Sequence, residues 1–132
     1  MDIPHGKCGG DILFVFDLDG TLLNSKKEIS ESNKNAVQKL YLAGHKIVIA
    51  TARPPRSIDY KIQRIGVPAD TIYYNGALGR CFDGVTFSHF IKKNIFNEIF
   101  YYIKENDETA VVSIEDNDTW FSSSTFDFKD FY

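Results

Sequence analysis

A chain of 132 residues, 43% hydrophobic and 14% aromatic, is long enough to bury one core and part of another, which excludes the disordered and fibrous classes. Its formal charge of −3 argues against nucleic acid or an anionic membrane as the main partner, because both favour basic surfaces. The charge is uneven: from Glu98 onward there are nine acidic and two basic residues, so the earlier part is net positive and suits an anionic substrate.

Residues 1–10 are glycine-rich and read as an irregular leader, with no apolar signal segment before the first strand. Cys8 and Cys81 lack metal-like spacing and do not make a disulfide framework, so a cytoplasmic protein is expected. The apolar run Ile12-Leu13-Phe14-Val15-Phe16 is too short to cross a bilayer and fits a strand buried on both faces, ending in the carboxylates Asp17 and Asp19. Ser30 is a candidate N-cap for a helix with Ala36, Val37, Leu40 and Ala43 on one face, stopped by Gly44. Residues 46–50 form a second buried strand. After Pro54 and Pro55, the residues Ile58, Ile62 and Ile65 recur at helical spacing up to Gly66 and Pro68, and residues 71–74 make a short third strand. Two strand–helix–strand units imply an α/β fold with a Rossmann-like parallel sheet.

Beyond Asn75-Gly76 the pattern changes. Residues 78–82 and 85–91 flank Asp83-Gly84 as a hairpin; a helix with Ile95, Ile99, Phe100 and Ile103 on one side follows; residues 110–114 and 119–123 read as a further strand pair. The expected organisation is a leader (1–10), a first domain (11–76) and the start of an α+β domain (77–132). Trp120 and Phe121 are expected to pack in the core of that second domain. His5, His45 and His89 form no ligand pattern, and His45 is expected to be structural.

The chemistry concentrates in Asp17-Leu18-Asp19-Gly20-Thr21. Two carboxylates two residues apart after a buried strand emerge together at the carboxyl edge of the sheet, where open α/β sheets bind ligands. Phosphate-ester hydrolysis needs a positioned nucleophile, charge neutralisation and a proton for the leaving oxygen. One aspartate can attack phosphorus while the other manages the proton, with magnesium bridging carboxylate and phosphate oxygens. Gly20 lets the backbone pass close to the phosphate. A bare Asp-Gly is also a common turn former, so the surrounding apolar context carries the functional reading.

Phe16-Asp17-Leu18-Asp19-Gly20-Thr21-Leu22-Leu23 resembles the first motif of the haloacid dehalogenase phosphatases, and Ile47-Val48-Ile49-Ala50-Thr51-Ala52-Arg53 resembles the second. Asn75-Gly76-Ala77 followed by a hairpin is similar to the Cof-type subclass IIB, in which the chain enters an α/β cap at this point. The resemblance implies a magnesium-dependent phosphohydrolase of small phosphorylated metabolites, sugar phosphates above all, working through an aspartyl-phosphate. It implies Asp17 as nucleophile and as side-chain ligand to magnesium, and Asp19 as acid/base and as ligand through its backbone carbonyl. Gly20, Thr21, Thr51, Arg53, Asn75 and Gly76 are implied as phosphate- or substrate-side residues. A guanidinium at Arg53 matches phosphate geometry, and a hydroxyl at Thr51 is a suitable donor or, alternatively, a helix cap.

The family's later lysine and clustered-aspartate motifs have no counterpart after Phe121. The expectation is therefore an N-terminal fragment, itself inactive or weakly active, whose first strand forms an exposed apolar edge open to self-association. A catalytically silent binding or regulatory module, and a phosphomutase or other phosphoryl transferase, are the alternatives.

Overall fold

The apolar run before Asp17 forms strand β1 (Leu13–Asp17) in the computed structural model, which describes residues 12–116 and 118–124. Helix α1 (Glu31–Leu42) begins at Ser30, whose hydroxyl accepts a hydrogen bond from the Asn33 amide at 3.1 Å, a cap worth about 1 kcal/mol. Strand β2 (Lys46–Ala50) follows, then α2 (Pro55–Gln63), which opens on a proline with no amide to leave unpaired, then β3 (Asp70–Tyr73). The strands β1, β2 and β3 pair in parallel, with Val15 opposite Val48 and Ile49 opposite Thr71. Strands β4 (Leu78–Arg80) and β5 (Thr86–Ser88) extend the same sheet as an antiparallel hairpin, giving the order β1-β2-β3-β4-β5.

The core gathers side chains of α1, α2 and β2. Leu18, Val37, Ile49, Ile58 and Ile65 are at most 1% exposed, and Phe14 and Phe16 of β1 pack against the same cluster. Burying a side chain of this size stabilises by about 1.5–3 kcal/mol, so this cluster dominates the stability of the first unit. Tyr73 ties the sheet to α2: its hydroxyl donates to Asp59 at 2.6 Å, and Arg80 of β4 donates to the other oxygen of Asp59 at 3.0 Å while lying over the Tyr73 ring. Burial first, and then the Asp59 carboxylate, push the Tyr73 phenol up to about 12.

Several expectations need correction. β1 is buried on one face only, because it lies at the edge of the sheet: Leu13 and Val15 are 55% and 56% exposed while Phe14 and Phe16 face the core. On α1 the buried stripe centres on Val37 and Leu40, and Ala36 and Ala43 are exposed. The third strand is shifted by one residue to Asp70–Tyr73, since Tyr74 takes up a φ of 52° and starts a tight turn. The hairpin strands are shorter than the apolar runs. The Cys81 amide already donates to Val85 across the turn, and the Phe82 amide turns aside to the Asp70 carboxylate.

The chain divides into compact units at His89 and Phe90, so the first unit extends past Gly76 to include the hairpin that hydrogen-bonds to β3. In the second unit, α3 (Lys93–Asn106) is followed by the antiparallel hairpin β6 (Ser113–Asp116) and β7 (Thr119–Ser122). None of its described residues is fully buried: on α3 Phe96, Phe100 and Ile103 are half-buried while Ile95 and Ile99 are exposed. Trp120 is half-buried but Phe121 is exposed, as consecutive strand residues face opposite sides of the hairpin. Cys8, His5 and the leader lie outside the described residues.

Gly79 carries the hairpin. A Cβ built there would lie 2.0 Å from the Phe87 ring, which rests on the glycine across the β4–β5 pair. Gly79→Ala is expected to swing the half-exposed Phe87 ring into solvent and cost about 1 kcal/mol, at the low end of the overpacking range because the ring can move. Urea unfolding and the upfield ring-current shift of the Gly79 α-protons check this; an unchanged Phe87 environment in the variant would contradict it.

Candidate functional site

Asp17 at the end of β1 stands in register with Ala50 at the end of β2, so Asp17 and Thr51 leave the sheet side by side at its carboxyl edge. The chain then turns sharply: the Leu22 amide donates to the Asp17 carbonyl, and the Thr21 and Leu23 amides donate to the Leu18 carbonyl. Gly20 sits in this turn at φ +77°, a region a side chain would resist. Leu18, Leu22 and Leu23 are 0%, 4% and 5% exposed and pin the turn into the core, which leaves Asp17 and Asp19 facing solvent on either side of Leu18.

Two cations close on Asp19. Arg53 grips it side-on, Nε to Oδ2 at 2.7 Å and Nη2 to Oδ1 at 2.9 Å, the bidentate fork that guanidinium geometry favours. Lys27 donates from Nζ to the same Oδ1 at 2.9 Å. Hydrogen bonding from Arg53 first, and then from Lys27, holds the Asp19 carboxyl well below the usual carboxylate range. In this arrangement Asp19 is a carboxylate, able to accept a proton and without one to give.

Thr51 is buried at 5% exposure, and its hydroxyl accepts the Arg53 amide at 3.1 Å, which aims the arginine and leaves the hydroxyl proton as a donor. It does not cap α2, whose N-cap is Pro54. The Asn75 amide donates to the Thr51 carbonyl at 3.2 Å, so the left-handed turn at Tyr74, Asn75 and Gly76 lies against the end of β2. The Thr21 carbonyl accepts from Asn33 of α1 at 3.5 Å, a long contact tying the turn to that helix. The fold thus gathers Asp17, Asp19, Gly20, Thr51 and Arg53, and brings Asn75 and Gly76 up through the backbone.

Lys27 was not legible as a site residue. It is one of two adjacent lysines in Asn24-Ser25-Lys26-Lys27-Glu28, and nothing in their spacing says which one turns inward. The Asn24 side chain accepts the Lys26 and Glu28 amides, Lys27 takes φ 58°, and Leu23 bridges to Ile29 to close the loop.

For magnesium this chain offers hard oxygen donors, the exposed Asp17 carboxylate and the Asp19 backbone carbonyl. That set fits a cation that keeps several waters and takes one or two carboxylates plus phosphate oxygens. The Asp19 side chain is engaged by Arg53 and Lys27. Among the described residues no group of three or more His, Cys, Asp or Glu side chains comes together as a metal site.

A family model described as haloacid dehalogenase-like hydrolase matches residues 14–131. The phosphatase YwpJ of Bacillus subtilis is 31% identical over 96 residues, covering 71% of this chain and 34% of that protein. The 5-amino-6-(5-phospho-D-ribitylamino)uracil phosphatase YitU of the same organism is 40% identical over 65 residues, covering 49% of this chain and 24% of that protein. Among solved structures, a haloalkanoate-superfamily phosphatase from Bacteroides thetaiotaomicron superposes with a TM-score of 0.75 at 29% identity, over 94% of this chain and 45% of the other. A protein from Thermotoga maritima gives a TM-score of 0.76 at 29% identity, over 92% and 45%. The chain therefore spans a quarter to a half of the length of these relatives.

The fork from Arg53 sets the protonation of Asp19. Removing it in Arg53→Ala is expected to raise the Asp19 titration midpoint towards the ordinary aspartate value of about 3.9, with Lys27 still holding it part of the way down. A carboxyl-carbon NMR titration reads this directly; identical Asp19 curves in the two proteins would show that the fork does not set the protonation state.

Proposed function

The chain belongs to the haloacid dehalogenase-like hydrolases, in the Cof-type group, and on that premise we propose that it supplies the nucleophile half of a magnesium-dependent phosphatase of small phosphorylated metabolites. The observation that carries this reading is the side-by-side exit of Asp17 and Thr51 from the parallel sheet, with Arg53 folding back onto Asp19.

In the proposed reaction the entering phosphate draws the cations off Asp19, which then takes up a proton from solvent; a carboxylate oxygen of Asp17 bonds to phosphorus as the ester P–O bond breaks, and the leaving oxygen takes that proton from Asp19. The resulting aspartyl-phosphate is then opened by water. The water oxygen bonds to phosphorus, its proton goes to the Asp19 carboxylate, and the P–O bond to Asp17 breaks, so both aspartates return to the states from which the attack began. Magnesium held by Asp17 and the Asp19 carbonyl would offset phosphoryl charge. The Thr51 hydroxyl and the Arg53 guanidinium would hold the non-bridging oxygens in line with Asp17. The turn at Asn75 and Gly76 would line the approach of the substrate, and Gly20 would leave room for the phosphate beside the backbone.

Sugar phosphates are the proposed substrate class, in keeping with the Cof-type group. The substrate named for YitU, 5-amino-6-(5-phospho-D-ribitylamino)uracil, belongs to that relative. Residues 90–132 are proposed as the start of the cap that selects the substrate. We place the protein in the cytoplasm; no helix among the described residues is long and apolar enough to cross a membrane. The net-positive site half and the acidic remainder favour a small anionic substrate over nucleic acid.

In the intact protein, Asp17→Asn is expected to lower magnesium-dependent phosphate release from p-nitrophenyl phosphate roughly a thousandfold or more with an unchanged circular dichroism spectrum. Retained release by the folded variant would remove Asp17 as nucleophile. Because β1 ends the described sheet with Leu13 and Val15 exposed, residues 1–132 alone are also expected to self-associate; light scattering showing a clean monomer at micromolar concentration would refute this.

A further inference from the structure

We infer that Lys27 is a second phosphate-gripping cation of this site, which together with Arg53 rests on Asp19 when no anion is present and passes to the phosphoryl oxygens when one arrives. The inference rests on the phosphatase reading and adds to it a binding residue supplied by the loop after the first motif.

The backbone of this loop is fixed well beyond what a solvated surface lysine needs. The Lys27 amide donates to the Asn24 carbonyl at 2.9 Å, and the Asn24 amide donates to the Glu28 carbonyl at 2.9 Å. The Asn24 side chain accepts two more amides, and Lys61 of α2 donates to the Lys27 carbonyl at 2.6 Å. Lys27 is therefore held at both its amide and its carbonyl, inside a loop closed by Asn24, and its side chain starts from a defined point.

The convergence on one oxygen atom gives the function. Lys27 Nζ and Arg53 Nη2 both lie 2.9 Å from Asp19 Oδ1, so they already form a two-donor cradle around a single anionic oxygen. Two cationic donors on one carboxylate oxygen form a geometry that also suits a phosphoryl oxygen presented at the same place. Lys27 is 58% exposed in its side chain, so its ion pair with Asp19 is weak and its flexible stem can follow an incoming oxygen at little cost. Arg53, held by two hydrogen bonds in a planar fork and less exposed, moves less readily than Lys27.

The test is titration of the protein with inorganic phosphate in the absence of magnesium, by calorimetry or phosphorus NMR, so that only the protein's own cations are read. The unaltered protein is expected to bind phosphate, Lys27→Met to bind it about tenfold more weakly, and Lys27→Arg to stay within about twofold, the scale of one charge-assisted hydrogen bond that is partly exposed. Lys26→Met, which removes the same charge one residue away, is expected to stay within about twofold, and its weakening binding as much as Lys27→Met would overturn the inference in favour of a diffuse field. Circular dichroism and thermal unfolding establish that each variant is folded, as expected for an exposed ion pair. Phosphate binding unchanged in folded Lys27→Met would overturn the inference and leave the phosphatase reading standing on Asp17. No phosphate binding by the unaltered protein would overturn it too, and if Asp17→Asn also left phosphate release unchanged, the reading itself would fall.

Discussion

Burial of three leucines holds the site together. Leu18 stands between the two aspartates and Leu22 and Leu23 follow them, and all three are sealed into the core, so the carboxylates have no freedom to turn inward. At about 1.5–3 kcal/mol for each such side chain, the hydrophobic term outweighs any exposed ion pair at the site. The positions of Asp17 and Asp19 are thus set by their apolar neighbours, and charge only adjusts what the leucines have already placed. The same segment that reads as a catalytic motif is, by free energy, a core motif.

On that fixed frame the electrostatics are adaptable. Arg53 arrives from the end of β2, Lys27 from the adjoining loop, and both close on Asp19 across 34 and 8 residues of sequence. The grip favours the ionised acid, so a reaction that needs Asp19 to give a proton first needs its cations drawn elsewhere. An entering phosphate ester is the one participant in the proposed chemistry that carries the charge to do so. The buried hydroxyl of Thr51, by accepting the Arg53 amide, keeps the arginine within reach of both positions.

Much of this was legible in the chain because each element carries its own punctuation. Ser30 caps α1, Pro55 opens α2, the apolar block at 46–50 becomes β2, and the block at 12–16 becomes β1, one residue later. What failed to show depends on contacts between segments. An unbroken apolar run does not say whether one face of its strand is covered or both; the edge position of β1 was expected from the missing later motifs, while the exposed face of Leu13 and Val15 was not. The hairpin strands were overestimated because Asp70, a residue outside the hairpin, captures the Phe82 amide. Lys27 was hidden because its inward turn depends on a left-handed backbone and on the Asn24 side chain, neither of which a pair of lysines announces.

The order of strands in the first sheet has a consequence for how the protein comes into being. Its spatial order β1-β2-β3-β4-β5 is also its chain order, so every strand docks beside the one made just before it and none has to be threaded between two others. Pairings of this kind keep the chain segments to be closed short, which favours rapid assembly in the direction of synthesis. By the time residue 89 has left the ribosome tunnel, all the strands that hold Asp17, Thr51 and Arg53 are outside it, and the reactive edge can be organised before the second unit emerges. Within residues 12–124 the strands that carry Asp17, Thr51 and Arg53 are therefore made before the second unit.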